Sequence, residues 1–158
     1  MSTCIFPGRF QPFHEGHLMV VQGMVKTSNS VYIVICEGKD DGPFTASQRR
    51  EMISAALLAV DIMDASIVEV VDKKTDVEWM DAVLDVCGNP TDPQIWSGND
   101  EVRAMFETKG VATKKIVHVP NRVSTEIRAL IEKRDPSWRA KIPAGAVDVI
   151  EDAISKRQ

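Results

Sequence analysis

Cysteine is scarce in this chain, and a long apolar run is missing altogether. The three cysteines, Cys4, Cys36 and Cys87, are odd in number, far apart and without a C-x-x-C pair. That argues against a disulfide framework and for reduced, buried thiols. No stretch approaches the length of a membrane span, and Met1-Ser2-Thr3-Cys4 lacks the charged start and apolar core of a signal peptide. A cytoplasmic protein is expected. Positive charge is not in excess either. Nineteen Lys and Arg face 23 Asp and Glu, a net charge of −4, so no global basic field invites nucleic acid. Internal repeats, low-complexity tracts and linkers are absent. What remains is 158 residues of ordinary globular composition, read as one domain over 1–158 with one core. An anionic ligand would need a local basic pocket, for which Arg9, His14, His17, Arg49, Arg50 and Arg128 are the candidates.

What the chain does have is one dense stretch near its start, Cys4-Ile5-Phe6-Pro7-Gly8-Arg9-Phe10-Gln11-Pro12-Phe13-His14-Glu15-Gly16-His17. A short apolar run ends at Gly8. After His17 the apolar residues Leu18, Val21, Met24 and Val25 recur at helical spacing. The two imidazoles therefore sit where a strand hands over to a helix. A helix start offers unpaired N–H groups and the positive end of the macrodipole, which suit a phosphate. Histidines at i and i+3 can also share a metal, but no carboxylate or cysteine stands at ligand spacing beside them apart from Glu15, which points elsewhere if 14–17 is helical.

Strands and helices alternate along the rest. Val31 to Cys36 is β-rich without polar alternation, the mark of a strand covered on both faces. Thr45 and Gln48 form a capping box for a helix that buries Met52, Ile53, Ala56, Leu57 and Val60. Further strands are expected over 66–71, 94–97 and 115–119, and helices over 77–86, 99–108, 124–133 and 144–155. The fold class expected is α/β: Rossmann-like, doubly wound, with a mainly parallel five-stranded sheet and helices on both faces. Ligands of such sheets bind outside the carboxyl ends of the strands. Residues 8–17, 37–45, 97–99 and 120–128 all fall there.

Three smaller constellations stand at those ends. Ser124 and Thr125 offer two hydroxyls at a helix start, with Arg128 one turn on. Ser97-Gly98-Asn99 can be a ligand turn or simply a helix cap. Trp79 can be core, or a flat face for a cationic ring. Trp96 and Trp138 read as structural.

The string G-R-F-Q-P-F-H-E-G-H resembles the signature of the nucleotidyltransferase superfamily that carries an H-x-G-H motif. Its G-R-F-Q-P form looks like the branch of archaeal-type nicotinamide mononucleotide adenylyltransferases. Val123-Ser124-Thr125-Glu126-Ile127-Arg128 is similar to the branch's S-G-T-E-V-R, with Ser124 in place of Gly. Pro43 to Arg49 resembles P-F-T-A-G-E-R, with Ser47 and Gln48 departing. Ser97-Gly98-Asn99 matches S-G-N, and Asp76 to Met80 resembles N-A-L-W-V. The resemblance runs through nearly the whole chain in order. It implies transfer of AMP from ATP to nicotinamide mononucleotide, giving NAD and pyrophosphate, with Mg2+ carried on the ATP phosphates. His14, His17 and Arg128 would be catalytic. Gly8, Arg9, Phe10, Gln11, Gly16, Ser97, Gly98, Asn99, Ser124 and Thr125 would bind ATP. Arg49 and Trp79 would bind the mononucleotide, Trp79 by stacking. A homo-oligomer is implied, and no metal-ligating residue. A sibling transferase with nicotinate mononucleotide, phosphopantetheine or CTP as substrate, or a non-catalytic NAD- or ATP-binding module, stays open at this point.

Overall fold

The computed structural model describes residues 2–39, 42–116 and 123–157. The elements run β1 (Thr3–Gly8), α1 (Glu15–Thr27), β2 (Val31–Glu37), α2 (Ala46–Ala59), β3 (Ala65–Val71), α3 (Asp76–Val86), β4 (Pro93–Ser97), α4 (Asp100–Thr108), β5 (Ala112–Lys115), α5 (Val123–Glu132) and α6 (Ala144–Ser155), with a short 3₁₀ helix over Pro136–Lys141. The sheet order is β3-β2-β1-β4-β5, and every pairing is parallel. This is the Rossmann-like doubly wound sheet expected from the alternating pattern.

Both faces of the central strands are buried. Phe6, Ile33 and Ile35 join a core with Val21 and Met24 of α1, Met52 and Ile53 of α2 and Ile150 of α6. Ile5, Val34, Cys36 and Ile95 face the other way, onto Met80 and Val83 of α3 and Phe106 of α4. Successive strand side chains point to opposite faces, so two cores require an unbroken apolar run. That is why β1 and β2 read apolar without alternation.

The chain builds β1, β2 and β3 in one direction, then returns through α3 to place β4 on the far side of β1. The winding reverses between β1 and β4, and the crevice outside their carboxyl ends is where such sheets take ligands. The loops after Gly8 and after Ser97 flank it.

Caps fall where the side chains foretell them. Thr45 Oγ1 accepts from Gln48 N at 3.1 Å and Gln48 Oε1 accepts from Thr45 N at 3.0 Å. Asn99 Oδ1 accepts from both Glu101 N and Val102 N. Three expectations shift. Val60 follows the last turn of α2 as its C-cap and is 39% exposed rather than core. The fifth strand is Ala112–Lys115, not 115–119, because its register matches Ala112 to Gln94 and Lys115 to Ser97. As an edge strand it needs only one partner and tolerates lysines, so hydrophobicity does not mark it; 117–122 lie outside the described residues. Finally, α5 opens at Val123, so Ser124 lies in its first turn rather than at its cap.

Candidate functional site

The loop from β1 to α1 is built on a strained residue. Phe10 has φ 54°, a left-handed conformation rare for a bulky side chain. Its burial offsets the strain. The ring is 2% exposed and meets Phe6 edge-on at 5.2 Å, Phe13 at 5.8 Å and the His17 ring edge-on at 5.0 Å. Gly8 makes room for it, since a Cβ there would stand 2.9 Å from the tip of the Phe10 ring. The next peptide bond but one, Gln11–Pro12, is cis. The Gln11 amide is turned inward: its Nε2 donates to the Phe44 carbonyl at 2.8 Å and its Oε1 accepts from Phe44 N at 3.0 Å. Gln11 thus ties the loop to the segment before α2.

His14 and His17 close the loop onto α1. His14 is the N-cap, and its Nδ1 accepts from Gly16 N at 3.1 Å. His17 Nδ1 accepts from His14 N at 3.1 Å, completing a capping box made of two imidazoles. The rings stack with centroids 3.6 Å apart, and Phe13 backs His17 at 5.4 Å. Accepting at Nδ1 assigns each ring proton to Nε2, leaving two parallel N–H donors. Burial pulls the His14 pKa down to about 4. Burial, then any charge on His14, holds His17 well below the usual histidine range. Both rings are neutral at pH 7, so the motif offers donors rather than the positive charge that a pair of histidines suggests.

The acid behaviour follows from that shift. An unfolded His14 takes up its proton near pH 6.5, whereas the folded ring refuses it until about pH 4. Stability is therefore complete above pH 6.5 and falls by roughly 3 kcal/mol as the pH drops to 4. In a histidine-resolved NMR titration of the ligand-free protein, both rings are expected to keep the neutral Nε2–H form down to pH 5. A midpoint near 6.5 for either ring would contradict this arrangement.

The second anchor packs directly on this loop from far along the chain. Arg128 Nη1 donates to the Gln11 carbonyl at 2.7 Å, and its Nη2 donates to Thr125 Oγ1 at 3.2 Å. Ser124 Oγ lies 3.5 Å from the Pro12 carbonyl. The guanidinium, the two hydroxyls and the histidine loop thus form one surface.

Ser97-Gly98-Asn99 turns at the end of β4, next to β1. Ser97 Oγ accepts from Asn99 N, and the Ser97 carbonyl accepts from Arg103 Nη1 at 2.8 Å. Arg103 also pairs with Asp100. The sequence reading missed Arg103; its place one turn into α4, facing back to a strand end, is the only signal it carries.

Arg49, read from the sequence as a substrate-binding residue, is almost wholly buried. It is 1% exposed, with Nη1 donating to the Arg9 carbonyl at 2.8 Å and the Cys36 carbonyl at 3.0 Å, and Nε donating to the Thr45 carbonyl. It braces the ends of β1 and β2 from beneath. Arg9 reaches outward, donating to the Cys36 carbonyl at 3.2 Å and pairing with Asp72 at 3.1 Å. Asp72, unassigned from the sequence, thereby orients Arg9. Arg9 and Asp72 share a cavity of about 300 Å³ with Lys73, Thr75 and Trp79. Trp79 is half-buried, edge-on to Phe106 at 5.7 Å on one side and lining the cavity on the other, so it serves both readings. Trp96 and Trp138 are core, as expected.

The thiols are buried and free, and burial pushes Cys36 up to about 11 and Cys87 to about 12. Neither is a nucleophile at neutral pH. Among the described residues no three His, Cys, Asp or Glu side chains are grouped to hold a metal ion, and no helix is long and apolar enough to cross a membrane.

Comparison with known proteins shows the family. The cytidylyltransferase-like family model matches residues 5–131. The nicotinamide-nucleotide adenylyltransferase of Pyrobaculum aerophilum is 30% identical, over 96% of this chain and 88% of that protein. That of Sulfurisphaera tokodaii is 32% identical, over 94% of this chain and 90% of that protein. A crystal structure of a bifunctional NMN adenylyltransferase/ADP ribose pyrophosphatase from Francisella tularensis, complexed with AMP and a manganese ion, superposes with a TM-score of 0.71 at 20% identity. It covers 99% of this chain, which spans about half of that longer one. The histidine loop, the α5 arginine and the all-parallel sheet thus sit together in a chain that belongs to the cytidylyltransferase-like family of nucleotidyltransferases, among the archaeal nicotinamide-nucleotide adenylyltransferases.

Proposed function

We propose that this protein is an adenylyltransferase that joins the AMP moiety of ATP to nicotinamide mononucleotide, releasing pyrophosphate and forming NAD. The observation that carries the reading is the stacked histidine pair. The pair caps the helix that follows β1, and Arg128 is held to Gln11 of the same loop.

The acceptor phosphate is already an anion, so its attack on the α-phosphorus needs no protein base. Catalysis is positioning plus stabilisation of charge that grows on the α-phosphate and the bridging oxygen. His14 and His17 donate to that charge. Neutral donors held by the loop suit this task, because they need neither acquire a proton nor reorganise. Arg128, with Ser124 and Thr125, holds the phosphates that leave. Gly8, Arg9, Phe10, Gln11 and Gly16 shape the loop under the triphosphate, and Ser97, Gly98 and Asn99 border the nucleotide on the β4 side. Trp79 stacks on the pyridinium ring in the cavity it shares with Arg9. Arg49 acts through Arg9 and Cys36 as a brace. Mg2+ fits a site of this composition as a passenger on the phosphate oxygens, since magnesium keeps waters and phosphates as ligands and asks little of the protein. When bound, it adds charge neutralisation on the triphosphate.

The reading extends to a homo-oligomer in the cytoplasm. Three buried free thiols agree with a reducing compartment, and light scattering of the purified protein measures the assembly.

The test is a pyrophosphate-release assay with ATP or CTP against nicotinamide mononucleotide, nicotinate mononucleotide and phosphopantetheine. Turnover is expected with ATP and the nicotinamide form. Turnover only with another pair keeps the phosphate chemistry and removes the role of Trp79. ATP binding without turnover leaves a binding module. Trp79→Ala is expected to raise KM for the mononucleotide about 5- to 150-fold, as loss of a stacked ring costs ~1 to 3 kcal/mol, while KM for ATP stays. Equal effects on both substrates would count against stacking.

A further inference from the structure

Arg128 serves the histidine loop, but it also opens onto a larger cavity. A pocket of about 540 Å³ has Arg128, Arg134 and Arg157 on its walls with Glu132 among them, over an apolar floor of Pro43, Ile131 and Ile154. Three guanidinium groups less one carboxylate leave two positive charges, in a chain whose net charge is −4. Arg128 is held to Gln11 and Thr125. The Arg134 and Arg157 side chains make no hydrogen bond or ion pair among the described residues.

Arg134 has a left-handed backbone, as Asp61 and Asn89 have after α2 and α3. It lies at φ 60°, just past α5, where its N–H donates to the Ile131 carbonyl and Asp135 N donates to the Leu130 carbonyl. Such left-handed helix ends favour glycine. Unlike Asp61 and Asn89 it is a cation, and it lines the pocket beside Arg128 and Arg157 with no anionic side chain paired to it among the described residues.

We propose that this pocket receives the outer phosphates of ATP, which leave as pyrophosphate, and that Arg134 and Arg157 bind them beyond Arg128. This rests on the adenylyltransferase reading. Pyrophosphate carries several charges over two phosphoryl groups, and separate guanidinium forks can each engage its oxygens. Arg134 and Arg157 are exposed, so their contribution weakens with salt.

The experiment titrates magnesium pyrophosphate into the full chain by calorimetry. The wild type is compared with Arg134→Gln/Arg157→Gln, with the lysine pair at the same positions, and with Arg50→Gln; the structure takes Arg50 out of the basic set read from the sequence, pairing it with Glu69 and the Ile67 carbonyl and leaving it off the pocket lining. The double glutamine variant is expected to bind pyrophosphate about tenfold or more weakly, on the scale of a lost charge-assisted contact. Its KM for ATP should rise in parallel and that for the mononucleotide stay constant. The lysine pair should recover part of the loss, and Arg50→Gln should resemble wild type. Unchanged pyrophosphate affinity in the double variant, an equal loss in Arg50→Gln, or no binding by the wild type overturns the proposal. A wild type without mononucleotide turnover removes the functional reading, while the titration still decides the pocket. A wild type that turns over, with an unaffected double variant, removes the pocket alone.

Discussion

Replacing His17 with alanine is expected to lower kcat by about 100-fold or more, while the protein stays folded. The magnitude is that of losing one donor aimed at developing transition-state charge. The geometry makes His17 the sharper test of the pair. Its Nδ1 is already committed to His14 N, and its ring is wedged among Phe10, Phe13 and His14. Only the Nε2–H is left for chemistry. The same substitution removes one half of the α1 capping box, which costs ~1 kcal/mol of stability. The packing of the ring on Phe10 and Phe13 is lost as well, and neither loss bears on the turnover of the folded fraction. Steady-state kinetics beside a urea melt separates the two effects. A folded variant that turns over near the normal rate would remove His17 from the catalytic set.

Phe10→Ala is expected to carry the largest stability loss, about 3 to 5 kcal/mol, the range for emptying a buried phenylalanine site. Alanine keeps the left-handed strain of the position and loses the ring that compensates it. The cavity opens against Phe6, Phe13 and His17, so the loss is not confined to stability. His17 loses its edge-on neighbour and with it part of its fixed orientation, and kcat should fall as well. Chemical denaturation with kinetics at matched fraction folded checks both halves. A variant with unaltered midpoint and rate would mean that the loop is held elsewhere, by Gln11 and Arg128 alone.

Much of this molecule is legible from residue order because its signals are local. Thr45 with Gln48 announces a capping box, Asn99 announces a helix start, and Val31 to Cys36 announces a strand covered on both faces. Each depends on neighbours within one turn or on a period of two, which physical chemistry reads without the fold. The candidate functional stretch is legible for a related reason: Gly8 to His17 gathers its polar groups in one strand-to-helix loop. Local signals fail where long-range pairing decides. The fifth strand is set by its register against β4, not by its own apolarity, and Val60 is exposed because α2 stops one residue earlier.

The residue order alone determined the fold class, the two anchors of the candidate site and the alternation that puts them at strand ends. Tertiary structure decided what those anchors are. It neutralised the histidines, because burial strips the charged imidazolium of solvent. It turned Arg49 from a surface cation into an internal brace, because carbonyls at the ends of β1 and β2 converge on it. It joined Arg128 to Gln11 across 117 residues, and it gathered Arg134 and Arg157 beside them from two different helix ends. Charge state and convergence depend on which groups share a solvent-free space, and that space exists only once the chain has folded.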